Sequence, residues 1–265
     1  MNKSPLRYVG GKTRACKKLD EIVNKYFDIN EYKNIISPFF GGGSFEFYIQ
    51  NKYNLNIIAN DKFTLLYNFW KHCKETNNKL CYKLYKFLDT IDKDTFIKIR
   101  NKINDENSKF KQAYMYFIIN RCSFSGSTLS GGFSNEASKK RFTKSSIDNI
   151  KKLNLDNFEI YNYDYKEFLN EYYNECDDFI FLDPPYCLGD KASKLYGNKG
   201  DMHENFDHEK LYSYISTKSN WIITYNNCDY IKKLYKKYII IETSWTYGMN
   251  KSKKSSEIVI ISKLV

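Results

Sequence analysis

The stretch FIFLDPPYCLGD, residues 179–190, decides how the rest of the chain is read. Phe179, Ile180, Phe181 and Leu182 form a short apolar run of the kind that makes a fully buried strand. The run drives into Asp183-Pro184-Pro185-Tyr186. Prolines have no N–H to donate and hold φ fixed, so they end the strand on a rigid platform with free carbonyls. An Asp carboxylate and a proline carbonyl both accept hydrogen bonds, and a tyrosine offers an aromatic face. Two acceptors beside a ring suit a planar base with an exocyclic amine: the amine donates twice and the ring stacks. Taken alone, the same four residues would also serve as an ordinary strand-ending turn.

Working outward, six more apolar runs read as buried strands, at residues 34–36, 55–59, 158–161, 221–224, 238–241 and 258–261. Amphipathic stretches lie between most of them. Thr13 is placed to cap one, with Cys16, Leu19, Ile22, Val23 and Phe27 along its apolar face; Ser44 is placed to cap another, through Phe45, Phe47, Tyr48 and Ile49. Alternating strand and helix argue an α/β fold with a mostly parallel, doubly wound sheet. The last two runs have only a short link and are expected to pair antiparallel, reversing the final strand.

One spacing breaks the alternation. About 100 residues separate Asp61 from Asp164, where a crossover needs only a dozen or more. Residues 62–148 carry 17 Lys and Arg against 8 Asp and Glu, a net +9 out of the whole chain's +11. The segment begins helical and ends in a Gly/Ser-rich loop, RCSFSGSTLSGGFSNEASKKRFTKSS. It reads as an inserted, largely helical basic module, with nucleic acid as the anionic partner; a lysine-rich solvated face is the plainer alternative. The expected division is a catalytic domain of residues 1–61 and 149–265 around a target-recognition domain of residues 62–148.

The remaining composition narrows the class. Seven scattered cysteines form no C-x-x-C pair, and their odd number fits free thiols in a reducing, intracellular compartment. His72, His203 and His208 stand in no metal-ligand spacing, so no metal is expected. Gly11-Lys12-Thr13 resembles the end of a phosphate-binding loop, but Leu6 stands where that motif needs glycine, and no strand precedes it.

Three other strand ends carry ligand-type residues. Phe40-Gly41-Gly42-Gly43 follows the first strand, and glycines let a ligand approach the backbone closely. Asp61 ends the second, where an acid can accept from ribose hydroxyls. Asp164-Tyr165 ends the third, an acid and an aromatic suited to an adenine ring. Each has a structural alternative, a turn or a cap; together they outline a nucleoside site.

With RYVGGK, PFFGGGS, ANDKFTLLYN, YFIINRCSFSGS, LDPPYC, NFDHEKL and SSEIVIIS in this order over nearly the whole chain, the sequence resembles the Dam-type DNA adenine-N6 methyltransferases. The resemblance implies a Rossmann-like methyltransferase core that moves a methyl group from S-adenosylmethionine to the N6 amine of an adenine flipped from duplex DNA. It implies Asp183, Pro184, Pro185 and Tyr186 as the catalytic motif, and Tyr8, Lys12, Phe40, Gly41, Gly43, Asp61, Asp164, Tyr165 and Asp183 around the cofactor. Arg121 and Phe124, with Ser125 beside them, fall where the family contacts DNA. The basic run Lys139, Lys140 and Arg141 is expected on phosphates. A restriction endonuclease of the same system is a further candidate partner. Family members that read GATC typically carry Asn after the aromatic where this chain has Ser125, so their target sequence does not transfer. RNA or cytosine methylation, a catalytically silent DNA-binding protein and a small-molecule methyltransferase are the competing readings.

Overall fold

All seven apolar runs form strands of one sheet: β1 (Asn34–Ser37), β2 (Asn56–Asn60), β3 (Phe158–Tyr161), β4 (Asp178–Leu182), β5 (Trp221–Asn226), β6 (Tyr238–Thr243) and β7 (Glu257–Leu264). The architecture comes from a computed structural model that describes residues 1–8, 10–187, 206–245 and 256–265; His203 lies outside them. The strand order is β3-β2-β1-β4-β5-β7-β6. All neighbours are parallel except β7, which slots between β5 and β6 and runs against both.

Alternation along each central strand splits the core in two. Phe179 and Phe181 of β4 face one side; Ile180 and Leu182 face the other. Both faces are covered, which is why these strands read as continuous apolar runs. Helices α1 (Cys16–Tyr26) and α2 (Ser44–Tyr53) pack on the first face. Helices α9 (Tyr165–Tyr172), α10 (His208–Ile215) and α11 (Asp229–Leu234) pack on the second.

Neither expected cap forms. Helix α1 starts at Cys16 behind Ala15, and Thr13 Oγ1 instead lies 3.1 Å from Ser44 Oγ. Ser44 is the first residue of α2, not its cap; Gly43 occupies that position with φ 65°. The glycine turn feeds the chain straight into the helix and leaves no room for a capping side chain.

Between β2 and β3 stand six helices: α3 (Thr64–Glu75), α4 (Asn77–Tyr85), α5 (Lys93–Lys102), α6 (Lys109–Cys122), α7 (Asn135–Lys140) and α8 (Lys144–Lys151). Helix α6 is apolar nearly all round through AYMYFII and forms the axis on which α3, α4, α5 and α7 pack, while α8 packs on α4. Trp70 of α3 reaches the sheet, with its ring 5.2 Å from Phe40 and 6.0 Å from Phe158. One core thus runs from the sheet into the helices. Among the described residues no helix is long and apolar enough to cross a membrane.

Candidate active site

From β1 the chain crosses to β2 on one side, while β4 lies on the other. The carboxyl edge opens at this switch point, where open α/β sheets hold ligands. The expected residues converge here. Asp183 leaves β4 at the centre of the sheet. Lys12 Nζ, buried, bonds both its oxygens, at 2.7 Å (Oδ1) and 2.8 Å (Oδ2). Thr224 of β5, fully buried, donates its hydroxyl to Asp183 Oδ1 at 2.6 Å. Lys12 also donates to the Tyr186 hydroxyl at 2.9 Å and to the Gly10 carbonyl at 3.2 Å, with its ammonium 5.0 Å from the Tyr186 ring centroid. A carboxylate has about four acceptor positions. Lys12 and Thr224 take two on Oδ1 and one on Oδ2, leaving one acceptor position on Oδ2.

The glycine loop is held from both sides. Gly41 donates its N–H to Asp61 Oδ2 at 2.9 Å, and its carbonyl accepts from Trp70 Nε1 at 2.9 Å. Tyr8 lies across the loop: a Cβ on Gly41, whose φ is 51°, would fall 2.7 Å from Tyr8 Cε1. A Cβ on Gly43 would fall 2.3 Å from Phe40 Cζ. Both positions require glycine for conformation and for space. Phe40 itself is buried against Trp70 and Phe47, so its ring supports the loop from the core.

Asp61 is nearly buried. Its Oδ1 accepts the Phe63 N–H at 2.9 Å, completing a pair of backbone bonds with that from Gly41. Burial pushes its carboxyl up to about 6, against those two N–H groups, which favour the charge. Each oxygen keeps acceptor capacity beyond its single backbone partner. Glu46, in the first turn of α2, is buried nearby and accepts from Ser37 Oγ at 2.6 Å; burial pushes it up to about 7.

At the third strand end, Asp164 caps α9 through the Lys166 N–H and pairs with Lys62 at 3.0 Å. Those bonds hold its carboxyl below the ordinary value despite opposing burial. Tyr165 is a core residue, its ring packed by Phe39, Tyr214 and Phe206 at 5.5–6.2 Å. The open stacking face expected of it is covered by protein. Its hydroxyl is buried with no hydrogen-bond partner among the described residues.

The residues expected on DNA divide. Arg121 was expected among the DNA contacts. Its Nε instead donates to the Arg141 carbonyl at 2.7 Å and its Nη1 to the Pro5 carbonyl at 3.1 Å. The guanidinium pins the N-terminal strap to the helices, and burial pulls its pKa down to about 10. Phe124, 67% exposed, projects from the loop tip, and Ser125 beside it has φ 54°. Lys139, Lys140 and Arg141 are exposed at the end of α7, with Lys140 also paired to Glu136. Asn120, fully buried, clamps the same strap: its Oδ1 accepts the Arg7 N–H at 2.9 Å and its Nδ2 donates to the Arg7 carbonyl at 2.8 Å. The end of α6 and the segment that leads into Tyr8 and Lys12 are therefore tied together.

Three polar residues at the site escaped the sequence reading. Thr224 and Asn120 are polar positions inside otherwise apolar runs, a signal that could have marked them. Glu257 stands at the start of β7, and because that strand is reversed its first residue lies at the same edge where the parallel strands end.

Comparison with known proteins accords with this arrangement. The family model described as D12 class N6 adenine-specific DNA methyltransferase matches residues 8–249. The chain is 25% identical over 258 residues to the Type II methyltransferase M.MjaIII of Methanocaldococcus jannaschii, covering 89% of this chain and 88% of that one. It is 23% identical over 247 residues to the Type II methyltransferase M.CviBI of Paramecium bursaria Chlorella virus NC1A, covering 91% and 90%.

Proposed function

The chain belongs to the D12 class N6 adenine-specific DNA methyltransferases, and from that premise we propose that Asp183, Pro184 and Tyr186 methylate an adenine flipped out of duplex DNA. The observation that carries the assignment is the Asp183 carboxylate, fixed by Lys12 and Thr224 with one acceptor position left on Oδ2. That position and the Pro184 carbonyl accept the two protons of the N6 amine. The nitrogen lone pair is thereby turned out of conjugation with the ring. Tyr186 stacks the base. Catalysis by these groups is positioning and electrostatic stabilisation around an in-line displacement, with no covalent enzyme intermediate. A base must leave the helix to reach such a pocket.

Methyltransferases of this family use S-adenosylmethionine, which when bound supplies an electrophilic methyl group. The donor set fits a nucleoside. Asp61 has unused acceptor capacity for ribose hydroxyls. The buried Tyr165 hydroxyl, without a partner among the described residues, and the Asp164 carboxylate lie at the next strand end and could hold the adenine. The glycine loop and Tyr8 line the approach between them.

In this reading residues 62–148 form the target-recognition module. Phe124 and Ser125 enter the duplex at the flipped base, and Lys139, Lys140 and Arg141 bind phosphates. Arg121 holds the loop in place. The names of the two relatives support a place in a restriction-modification system, with an endonuclease of the same specificity as partner. A DNA substrate implies an intracellular site of action. The direct test is transfer of labelled methyl from S-adenosylmethionine to a duplex library, with mapping of the modified base. N6-methyladenine in one sequence context is expected; label on cytosine or only on RNA would overturn the assignment.

A further inference from the structure

Glu257 has no part in the steps above, yet it is buried and bonded to the catalytic tyrosine. It opens β7 and is locked in register on both sides, opposite Asn226 of β5 and Thr243 of β6. Its side chain is 2% exposed. The Tyr186 hydroxyl donates to Glu257 Oε2 at 2.5 Å and accepts from Lys12 Nζ at 2.9 Å, while the same ammonium bonds both Asp183 oxygens. A continuous chain thus runs from Glu257 through Tyr186 and Lys12 to Asp183.

Stacking on a base does not need a phenolic hydroxyl; a phenylalanine ring offers the same face. Burying a carboxylate is costly unless it is paired and hydrogen-bonded. The hydroxyl and the carboxylate together must therefore do something a bare ring and an apolar residue would not. A tyrosine bonded at its hydroxyl from two sides cannot swing about its χ angles. Its stacking face is then held at a set position relative to the carboxylate that takes the amine.

We propose that Glu257 is a positioning residue for methyl transfer, fixing the Tyr186 ring and, through Lys12, tying the stacking face to the Asp183 acceptor edge. The inference rests on the methyltransferase reading. It also gives the reversed strand a function: only an antiparallel β7 brings its first residue to the edge where β4 ends.

The test compares Glu257→Gln, Glu257→Met, Tyr186→Phe and the Glu257→Met/Tyr186→Phe double variant, on duplex DNA with adenine or fluorescent 2-aminopurine at the target position. Wild-type adenine methylation is measured first. Its absence would fail the methyltransferase reading and leave no site for Glu257 to position. Glu257→Met keeps the volume and removes the strong acceptor. It is expected to lower kcat about tenfold and change the 2-aminopurine emission, with the KM for cofactor unmoved. Glu257→Gln keeps a carbonyl acceptor and is expected to recover kcat to within about threefold. Tyr186→Phe should match Glu257→Met, and the double variant should be no slower than Tyr186→Phe. Should Glu257→Met fail to fold, judged by circular dichroism, Tyr186→Phe and Glu257→Gln decide the matter. Full kcat in Tyr186→Phe would overturn the proposal. So would an active wild-type enzyme in which Glu257→Met costs the same factor with or without the Tyr186 hydroxyl.

Discussion

Replacing Thr224 by valine isolates one contact to the Asp183 carboxylate, the proposed holder of the adenine amine. The two side chains have nearly the same shape, the position is fully buried in β5, and β-branched residues favour strands, so folding should survive. What disappears is the hydroxyl 2.6 Å from Asp183 Oδ1. No water can replace it without opening the sheet. A hydrogen bond to a charged group contributes about 1.5–3 kcal/mol. Lys12 still bonds both oxygens and the Asp183 side chain is 24% exposed, so the lower end applies. At about 1.4 kcal/mol per factor of ten, the rate of methyl transfer should fall about tenfold. The loss belongs in the chemical step if the Asp183 carboxylate, the group that Thr224 bonds, holds the adenine amine as proposed. Single-turnover transfer at saturating cofactor and DNA measures it. A loss below about twofold, or one confined to the KM for cofactor, would show that Asp183 does not depend on this bond for its orientation.

Other expectations address the cofactor and DNA sides. Asp61 titrates at about 6, above its ordinary value near 4, so the unfolded chain ionises first and the free protein should lose stability as pH rises between those values. Ribose hydroxyls favour the ionised form, so cofactor affinity should increase through pH 6 and then level off; calorimetry across pH 5–8 checks this, and Asp61→Asn should abolish the dependence. Phe124→Ala, at an exposed position, should leave the melting temperature unchanged but slow transfer to a paired target. A mismatch at the target should restore the rate to within about threefold, because an unpaired base costs less to extrude. Neutralising Lys139 and Lys140 should weaken all duplexes alike and flatten the salt dependence, whereas Arg121→Gln should lower thermal stability by leaving the carbonyls of Arg141 and Pro5 without their donor.

How far the sequence carried this picture depends on the range of the interaction involved. The strands were legible because β1, β2, β4, β5 and β7 are covered on both faces, so their runs are apolar apart from single polar residues such as Asn56 and Thr224. Asp183, Asp61 and the glycine loop were legible because they sit at strand ends, where local order places them at one edge. The misread residues depend on distant partners. Thr13 and Ser44 look like caps, but their hydroxyls bond each other across 31 residues, and Gly43 starts α2 in the left-handed region. Arg121, at the end of α6 beside the Gly/Ser-rich loop, spends its Nη1 on the Pro5 carbonyl, 116 residues earlier. Tyr165 looks like a stacking platform until α10 and Phe39 cover it. Thr224 and Glu257 each lie more than 40 residues from the motif they serve, and only the strand order brings them there.

The central claim is that the Asp183 carboxylate holds the adenine amine for methyl transfer. Asp183→Ala, assayed side by side for labelled methyl transfer and for duplex binding, tests it most directly. Transfer to adenine N6 should fall by at least about a hundredfold, the scale of losing one preorganised electrostatic partner, with duplex affinity largely kept. Turnover near that of the unaltered enzyme, with the label still on adenine N6, would contradict the account.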